Sequence, residues 1–364
     1  MTIISHFRKF DWSLVLTTII LTGIGLLSLY SSSLGTVGNF LNFHKQLIFL
    51  AVGLILMAIF SFIDYRGLKD NSYLILVLYG LGIMALVGLL IFNNPIRGVR
   101  SWYKIGQIAI APVEFLKIVI IALLAKYFSA RHVEMYKFRH IVLSGAYIAI
   151  PIFLVFAQPD IGSVLVFIFL WLGVLAVSGI HLRHFVILSF CGIILLLFAW
   201  GFLLKDYQKQ RVISFVTPEY EPLQVGWNQR QTKIAIGNGG LLGRGVGQGS
   251  QTQYGFLPEP QTDFIFSAIA EEFGFLTIVA IILLFFVFFW RVTKIALCAG
   301  NNFSRLFALG VGFVVIAQFF INIGSNIGYL PVIGVPLPFV SYGGSFLIAM
   351  FIALGILQNI KINS

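Results

Sequence analysis

Apolar runs of about 20 residues recur along the chain, each closed by a short polar, charged or glycine-rich break. They fall at roughly 12–32, 45–63, 72–92, 112–128, 141–157, 162–180, 184–204, 263–290, 305–327 and 344–360. Runs of this length cross the hydrocarbon core as helices, so the pattern predicts an all-α integral membrane protein with about ten transmembrane helices. The fourth run is interrupted by Glu114, Lys117 and Lys126. A long break at 205–262 reads as a large extracytoplasmic loop between spans seven and eight. No internal repeat is visible, and residues 1–364 read as a single transmembrane domain. The first run follows Arg8 and Lys9 and is long enough to span instead of serving as a cleaved leader.

Composition agrees with the pattern. Hydrophobic residues make up 59% of the chain and charged residues 10%, and the mean hydropathy is +0.97. A water-soluble domain carries about 25% charged residues, so this chain cannot cover itself with a soluble surface. With the amino end inside, the short inner segments hold thirteen of the 24 Lys and Arg residues, among them Arg66, Lys69, Arg131, Arg291, Arg305 and Lys361. This bias sets both termini on the cytoplasmic side of the membrane. Apart from Lys45 and the in-span Lys117, the remaining cations gather in two outer breaks, about 93–111 and 205–262. The shorter is the one that the charge rule does not excuse. Cys191 and Cys298 are two thiols on different levels and predict no disulfide framework. His181 and His184 have metal-ligand spacing but no third ligand nearby, and an interfacial position explains them better. No organic cofactor and no nucleic acid partner are expected.

Four breaks carry the candidate chemistry. The first holds Arg97, Arg100, Trp102, Tyr103 and Lys104, then Pro112-Val113-Glu114 and Lys117. Cations beside interfacial aromatics suit an anionic headgroup, and also suit a plain interfacial belt. Glu114 and Lys117 share a helix face at i,i+3 and can pair. Charges at membrane depth are costly and usually mark a functional path. The second break, Gln158-Pro159-Asp160-Ile161-Gly162, offers Asp160 either as a helix cap or as a cavity carboxylate. The third combines the glycine-dense segment Gly237–Gly245, with Lys233 and Arg244, and the stretch Pro258-Glu259-Pro260-Gln261-Thr262-Asp263. Asp263 sits where a helix begins, as a dipole-stabilised acid or as a general base. Glu271 and Glu272 lie deeper in the same span. The fourth break runs from Gly328 to Ser345 with three prolines, which describes a stiff loop folded in at membrane level, where irregular backbone lines cavities.

Taken together, Pro112-x-Glu114-x-x-Lys117, Gln158-Pro159-Asp160, Pro258-Glu259-x-x-Thr262-Asp263-Phe264 and Pro338-x-x-Ser341-Tyr342-Gly343-Gly344 resemble the SEDS family of bacterial membrane proteins, over nearly the whole chain. Gly334-Val335-Pro336-Leu337-Pro338-Phe339 is closer to its RodA branch than to its FtsW branch. Val113 and Gln261 stand where the family often has Ser and His, and Gln261 removes a titratable neighbour of Asp263.

The resemblance implies a peptidoglycan glycosyltransferase of the bacterial cytoplasmic membrane, serving cell elongation. Its substrate would be lipid II, an undecaprenyl-pyrophosphate-linked disaccharide-pentapeptide. Its partners would be a class B penicillin-binding protein and other elongation-complex membrane proteins. Under it, Asp263 is the base for an inverting transfer. Glu114 orients Lys117, and Arg100, Lys104, Lys117, Lys233, Arg244 and Ser341 are candidates for holding substrate. Asp160 shapes the cavity or helps hold a divalent cation, Mg²⁺ or Mn²⁺, whose protein ligands the sequence does not identify. A lipid II flippase and a non-catalytic activator of a penicillin-binding protein are the alternative readings.

Overall fold

The computed structural model describes residues 3–35, 39–92, 100–106, 108–131, 138–203, 209–210, 213, 215 and 225–363. Its helices are α1 (Ile3–Arg8), α2 (Trp12–Gly35), α3 (Leu41–Phe62), α4 (Arg66–Asp70), α5 (Ser72–Phe92), α6 (Pro112–Ser129), α7 (Phe138–Ala157), α8 (Ile161–Val177) and α9 (Leu182–Phe198). After the long break come α10 (Val225–Gly239), α11 (Ser250–Gln253), α12 (Ile265–Cys298), α13 (Asn302–Ile327) and α14 (Gly344–Ile362). Ahead of α6, β1 (Tyr103–Ile105) and β2 (Ile108–Ile110) form a small antiparallel hairpin in which Lys104 faces Ala109.

Each of the ten apolar runs carries a helix, and the protein is a multi-pass membrane protein. Seven of the described helices are long and apolar enough to cross a bilayer: α2, α3, α5, α7, α12, α13 and α14. Helices α8 and α9 have 17 residues each, and the charged residues of α6 keep it outside that class. The expected loop over 205–262 contains α10 and α11 instead of being irregular throughout. Arg97, 204–208 and 216–224 fall outside the described residues.

Local sequence explains where several helices start. Asp11 accepts a hydrogen bond from the Leu14 amide (3.1 Å), Asp160 from Ser163 (3.0 Å) and Asn301 from Ser304 (2.9 Å). Each satisfies an otherwise orphaned helix N–H. Helix α13 stands at the centre, packed against α6, α8 and α12, while α14 lies along α3. In that last pair Gly53 sits under the Phe351 ring and Gly355 against the Met57 backbone, so small residues let the helices approach closely.

The carboxyl half contains an unusual join. Helix α12 is broken at Gly274, whose φ of 79° and ψ of 179° leave helical geometry. The chain after α10 fills the gap: the amides of Arg244 and Gly245 donate to the carbonyls of Glu271 (2.9 Å) and Glu272 (3.0 Å). In return, the amides of Phe275 and Leu276 donate to the carbonyls of Gly240 (2.9 Å) and Leu241 (3.2 Å). The backbone groups freed by the break are thereby satisfied inside the protein, as the absence of water at this depth requires. Gly243 faces Gly274 with backbone against backbone, and a side chain on either would collide with the other strand. Glu271, fully buried, accepts from the amides of Gln251 (2.8 Å) and Thr252 (3.0 Å) and from the Thr252 hydroxyl (2.8 Å), which fixes α11. The buried acids Glu271 and Glu272 thus anchor the long break to α12.

Candidate functional site

The segment between α13 and α14, residues 328–343, has no regular helix, and Val335, Leu337, Phe339, Val340 and Ser341 on it are buried. It folds onto itself through the Ser341 hydroxyl, which accepts from the Leu337 amide (2.9 Å). The proline-rich loop expected from the sequence is therefore a packed internal element, and the motif segments converge on it.

The stretch Pro258–Phe264 is pinned first. The Ser341 hydroxyl donates to the Thr262 carbonyl (2.7 Å), and the Tyr342 amide donates to the Gln261 carbonyl (2.8 Å). The Asp263 carbonyl accepts from Asn322 (3.0 Å) and Asn326 (2.9 Å), two carboxamides one turn apart on α13. Asn322 also donates to the Val335 carbonyl (2.9 Å), so the loop and the Asp263 turn share one holder. Asp263 itself is half-buried, and a methyl group added at Gly334 would lie 3.6 Å from its Oδ2. The carboxylate that the motif points to is thus placed against the loop by its backbone, with the side chain at the edge of the protein interior.

A further motif segment reaches the same loop, and another reaches the helix that follows it. Gly162, in the first turn of α8, packs against Ile333 and Val335, and Asp160 caps that helix. Asp160 accepts from the Ser163 hydroxyl (2.8 Å) and from Ser101 (3.4 Å); it is a helix cap at the loop's edge. At the far end of the loop, Ser345 accepts from the Ala111 amide (3.0 Å) and donates to the Ala109 carbonyl (3.1 Å). This ties the start of α6 to the start of α14. One turn into α6, the Lys117 Nζ donates to both Glu114 oxygens at 2.9 and 3.0 Å, and both residues are buried. The i,i+3 pair read from the sequence is formed. Among the described residues Glu114 is the sole acceptor of the Lys117 ammonium, which leaves one of its three donors for another anion.

The remaining candidates are arranged less uniformly. Lys233, on α10, lies over Gly328 with its Nζ 3.0 Å from where a methyl group there would sit, so its ammonium is at the loop's entry. Arg100 donates from Nη1 to the Leu90 carbonyl (2.9 Å) and from its amide to the Gln158 carbonyl (3.3 Å), beside Asp160. Lys104 is exposed on the hairpin. Arg244 is exposed at the helix break, its Nε donating to the Asn238 carbonyl (2.8 Å), and no contact of the described residues brings it to the loop. Among the described residues no three His, Cys, Asp or Glu side chains converge as metal ligands.

Sequence reasoning missed the residues that hold this arrangement: Asn322, Asn326, Ser345, Gln46 and Asn42. Gln46 accepts from the Gly343 amide (3.3 Å), and Asn42 donates to the Gln261 side chain (2.7 Å). A signal was present in the spacing of Asn322 and Asn326, two carboxamides at i,i+4 in an apolar span, where buried polar groups need partners.

A family model described as "Cell cycle protein" and labelled for FtsW, RodA and SpoVE matches residues 11–364. Stage V sporulation protein E of Bacillus subtilis is 36% identical over 359 residues, covering 96% of this chain and 96% of that protein. The peptidoglycan glycosyltransferase RodA of Treponema pallidum is 30% identical, covering 97% of each chain. Among solved structures, a chain of a peptidoglycan synthase complex described as coordinating polymerization and crosslinking superimposes with a TM-score of 0.84. It is 28% identical, over 97% of this chain and 98% of that one.

Proposed function

Because the chain belongs to the FtsW/RodA/SpoVE family, we propose that it is a peptidoglycan glycosyltransferase that polymerises lipid II by inverting transfer at the outer face of the cytoplasmic membrane. The observation that carries this reading is the convergence of Asp263 and the Asp160 helix start on one internal loop, residues 328–343, with the start of the Glu114–Lys117 helix tied to the helix that follows it. Glycosyl transfer from a lipid pyrophosphate needs a base for the acceptor hydroxyl and positive charge for the departing pyrophosphate. Asp263 supplies the carboxylate, half-buried at a helix start. Its backbone is held from Asn322 and Asn326 on α13, which positions the acid at the loop.

Lys117 supplies a buried cation with a donor to spare, and Glu114 fixes its direction. Arg100 beside Asp160 and Lys233 at the loop's entry add charge for the phosphates, and Lys104 extends it at the surface. Ser341 acts through Thr262, holding the turn that carries Asp263. A Mg²⁺ or Mn²⁺ ion at the pyrophosphate would take most of its ligands from phosphate oxygens, with Asp160 the nearest carboxylate of the loop's edge.

Relatives in this family carry the names RodA and stage V sporulation protein E. We assign this chain to elongation on its RodA-like Gly334–Phe339 segment. A class B penicillin-binding protein is the partner that this reading requires, in line with the complex whose chain superimposes on it. Both termini would lie in the cytoplasm, by the charge bias of the short segments. The test is to reconstitute the purified protein with fluorescent lipid II in vesicles and to follow both products and sidedness. Glycan chains are expected; movement of lipid II across the bilayer without chains would replace this reading with transport.

A further inference from the structure

Helix α13 carries one carboxamide that holds nothing. Gln318 is fully buried, and neither its Nε2 nor its Oε1 has a hydrogen-bond partner among the described residues. One and two turns nearer the loop, Asn322 and Asn326 place the same group on the Asp263 carbonyl. A buried polar group without a partner costs stability, so its place in an apolar span calls for a use beyond the fold. That place follows from how α13 packs on α6. A methyl group at Gly310 would sit 2.7 Å from the Ile121 side chain, so these two residues mark where the helices meet. The end of α13 leads into the loop, whose far end is tied through Ser345 to the start of α6, so the two helices run antiparallel. Seven residues back from Ile121 is Glu114, and eight forward from Gly310 is Gln318. At about 1.5 Å of rise per residue the two stand at the same depth. At about 100° per residue, Glu114 lies about 20° and Lys117 about 40° from the Ile121 direction, so the pair faces α13. Gln318 lies about 80° from the Gly310 direction, on the flank of the surface turned to α6, among Val314, Ala317 and Ile321. It is the polar residue of that patch.

We infer that Gln318 is a positioning residue for the Glu114–Lys117 pair, taking over Glu114 when the Lys117 ammonium turns to the departing pyrophosphate. The inference rests on the glycosyltransferase reading and deepens it. At rest the Glu114 carboxylate receives two Lys117 donors, at 2.9 and 3.0 Å. Each donor that moves to a phosphate oxygen leaves this buried carboxylate less compensated, and an uncompensated buried charge is costly. A carboxamide offers two N–H donors to a carboxylate and an oxygen to an ammonium. Gln318 can therefore serve either member of the pair, and it brings no charge that would compete with the substrate for Lys117. With no bond of its own to break, it changes partner at no cost to the fold.

The test is steady-state polymerisation of labelled lipid II by the purified protein with its penicillin-binding protein, comparing wild type with Gln318→Met and Gln318→Leu. Rates are expressed per folded molecule, and thermal unfolding in detergent is recorded alongside. Met keeps the length and flexibility of Gln and Leu does not, so loss of the carboxamide is separated from a change of shape. The expected result in both is a maximal rate lowered about tenfold, with half-saturation within a few-fold of wild type, as loss of a hydrogen bond made only during the reaction predicts. The melting temperature should be unchanged or raised, because an unpartnered polar group has been removed. In a Lys117→Ala background the same substitutions should change the residual rate by less than about twofold, since the pair that they serve is gone. A normal rate per folded molecule in both variants, or a full tenfold loss on top of Lys117→Ala, overturns the inference while leaving the polymerase standing. Absence of product from wild type overturns the polymerase reading, and the inference with it.

Discussion

Two ion clusters at opposite ends of the bundle each set a buried carboxylate against cations and are wired differently. At the end where α2 begins, Asp11 receives the Arg291 guanidinium, with Nε at 2.9 and 3.0 Å from its two oxygens and Nη2 also donating, and the Lys361 ammonium at 3.6 Å. Its backbone exchanges hydrogen bonds with Gln358. One carboxylate thus joins α2, α12 and α14. At the other end, Lys117 pairs with Glu114 one turn away on the same helix, and among the described residues the pair bonds to no second element. A salt bridge that ties three elements together is explained by architecture. A buried pair that ties none is left to explain by what it faces. Arg291 and Lys361, which the charge bias alone assigns to topology, are also a clamp.

The comparison can be broken in several ways. The largest expected effect is Asp263→Asn, which should lower polymerisation by a factor on the order of 10²–10⁴, the usual worth of a general base, with normal membrane abundance. Retained activity would remove Asp263 as the base. Lys117→Ala comes next, with a loss on the order of 10²–10³ for removing a charge that stabilises the leaving group. Lys117→Arg should not restore the rate, because a planar fork does not replace a point charge in a tight pair. A Lys117→Ala protein that is poorly folded but normally active per molecule would make the two clusters equivalent. Arg291→Ala leaves Asp11 with only the longer Lys361 contact, so it should destabilise by about 1–3 kcal/mol and reduce abundance while the surviving protein polymerises normally. The smallest effects should come from positioning. Ser341→Ala removes the bond to the Thr262 carbonyl and leaves the Leu337 amide without its acceptor, about 2 kcal/mol, and should slow turnover several-fold at unchanged half-saturation.

Elements made from neighbouring residues were legible in the sequence. The apolar runs gave the helices because burial in lipid demands length and apolarity along a continuous stretch. The Glu114–Lys117 pair and the Asp160 cap follow from spacings of three residues, a distance that helix geometry fixes. What stayed hidden depends on residues far apart in the chain. The insertion of Gly239–Gly245 into the break at Gly274 pairs two segments whose glycines look like ordinary flexible loop and helix interruption when read separately. The Asp11–Arg291 clamp spans most of the chain. Arg244 looked like a phosphate ligand because glycine-rich segments with an Arg often are; here the glycines serve close backbone approach and the arginine faces outward. The loop after α13 was read as folded in, yet its role as the meeting place of the motif segments required the contacts of Ser341, Gly334 and Ser345.

The central claim is that the loop-held Asp263 is the polymerising carboxylate. Its most direct test incubates labelled lipid II with wild-type protein or Asp263→Ala, each with the cognate penicillin-binding protein, and resolves the products by gel. A glycan ladder from wild type alone is the predicted result. Ladders of equal strength from both would contradict the account and place the activity elsewhere in the complex.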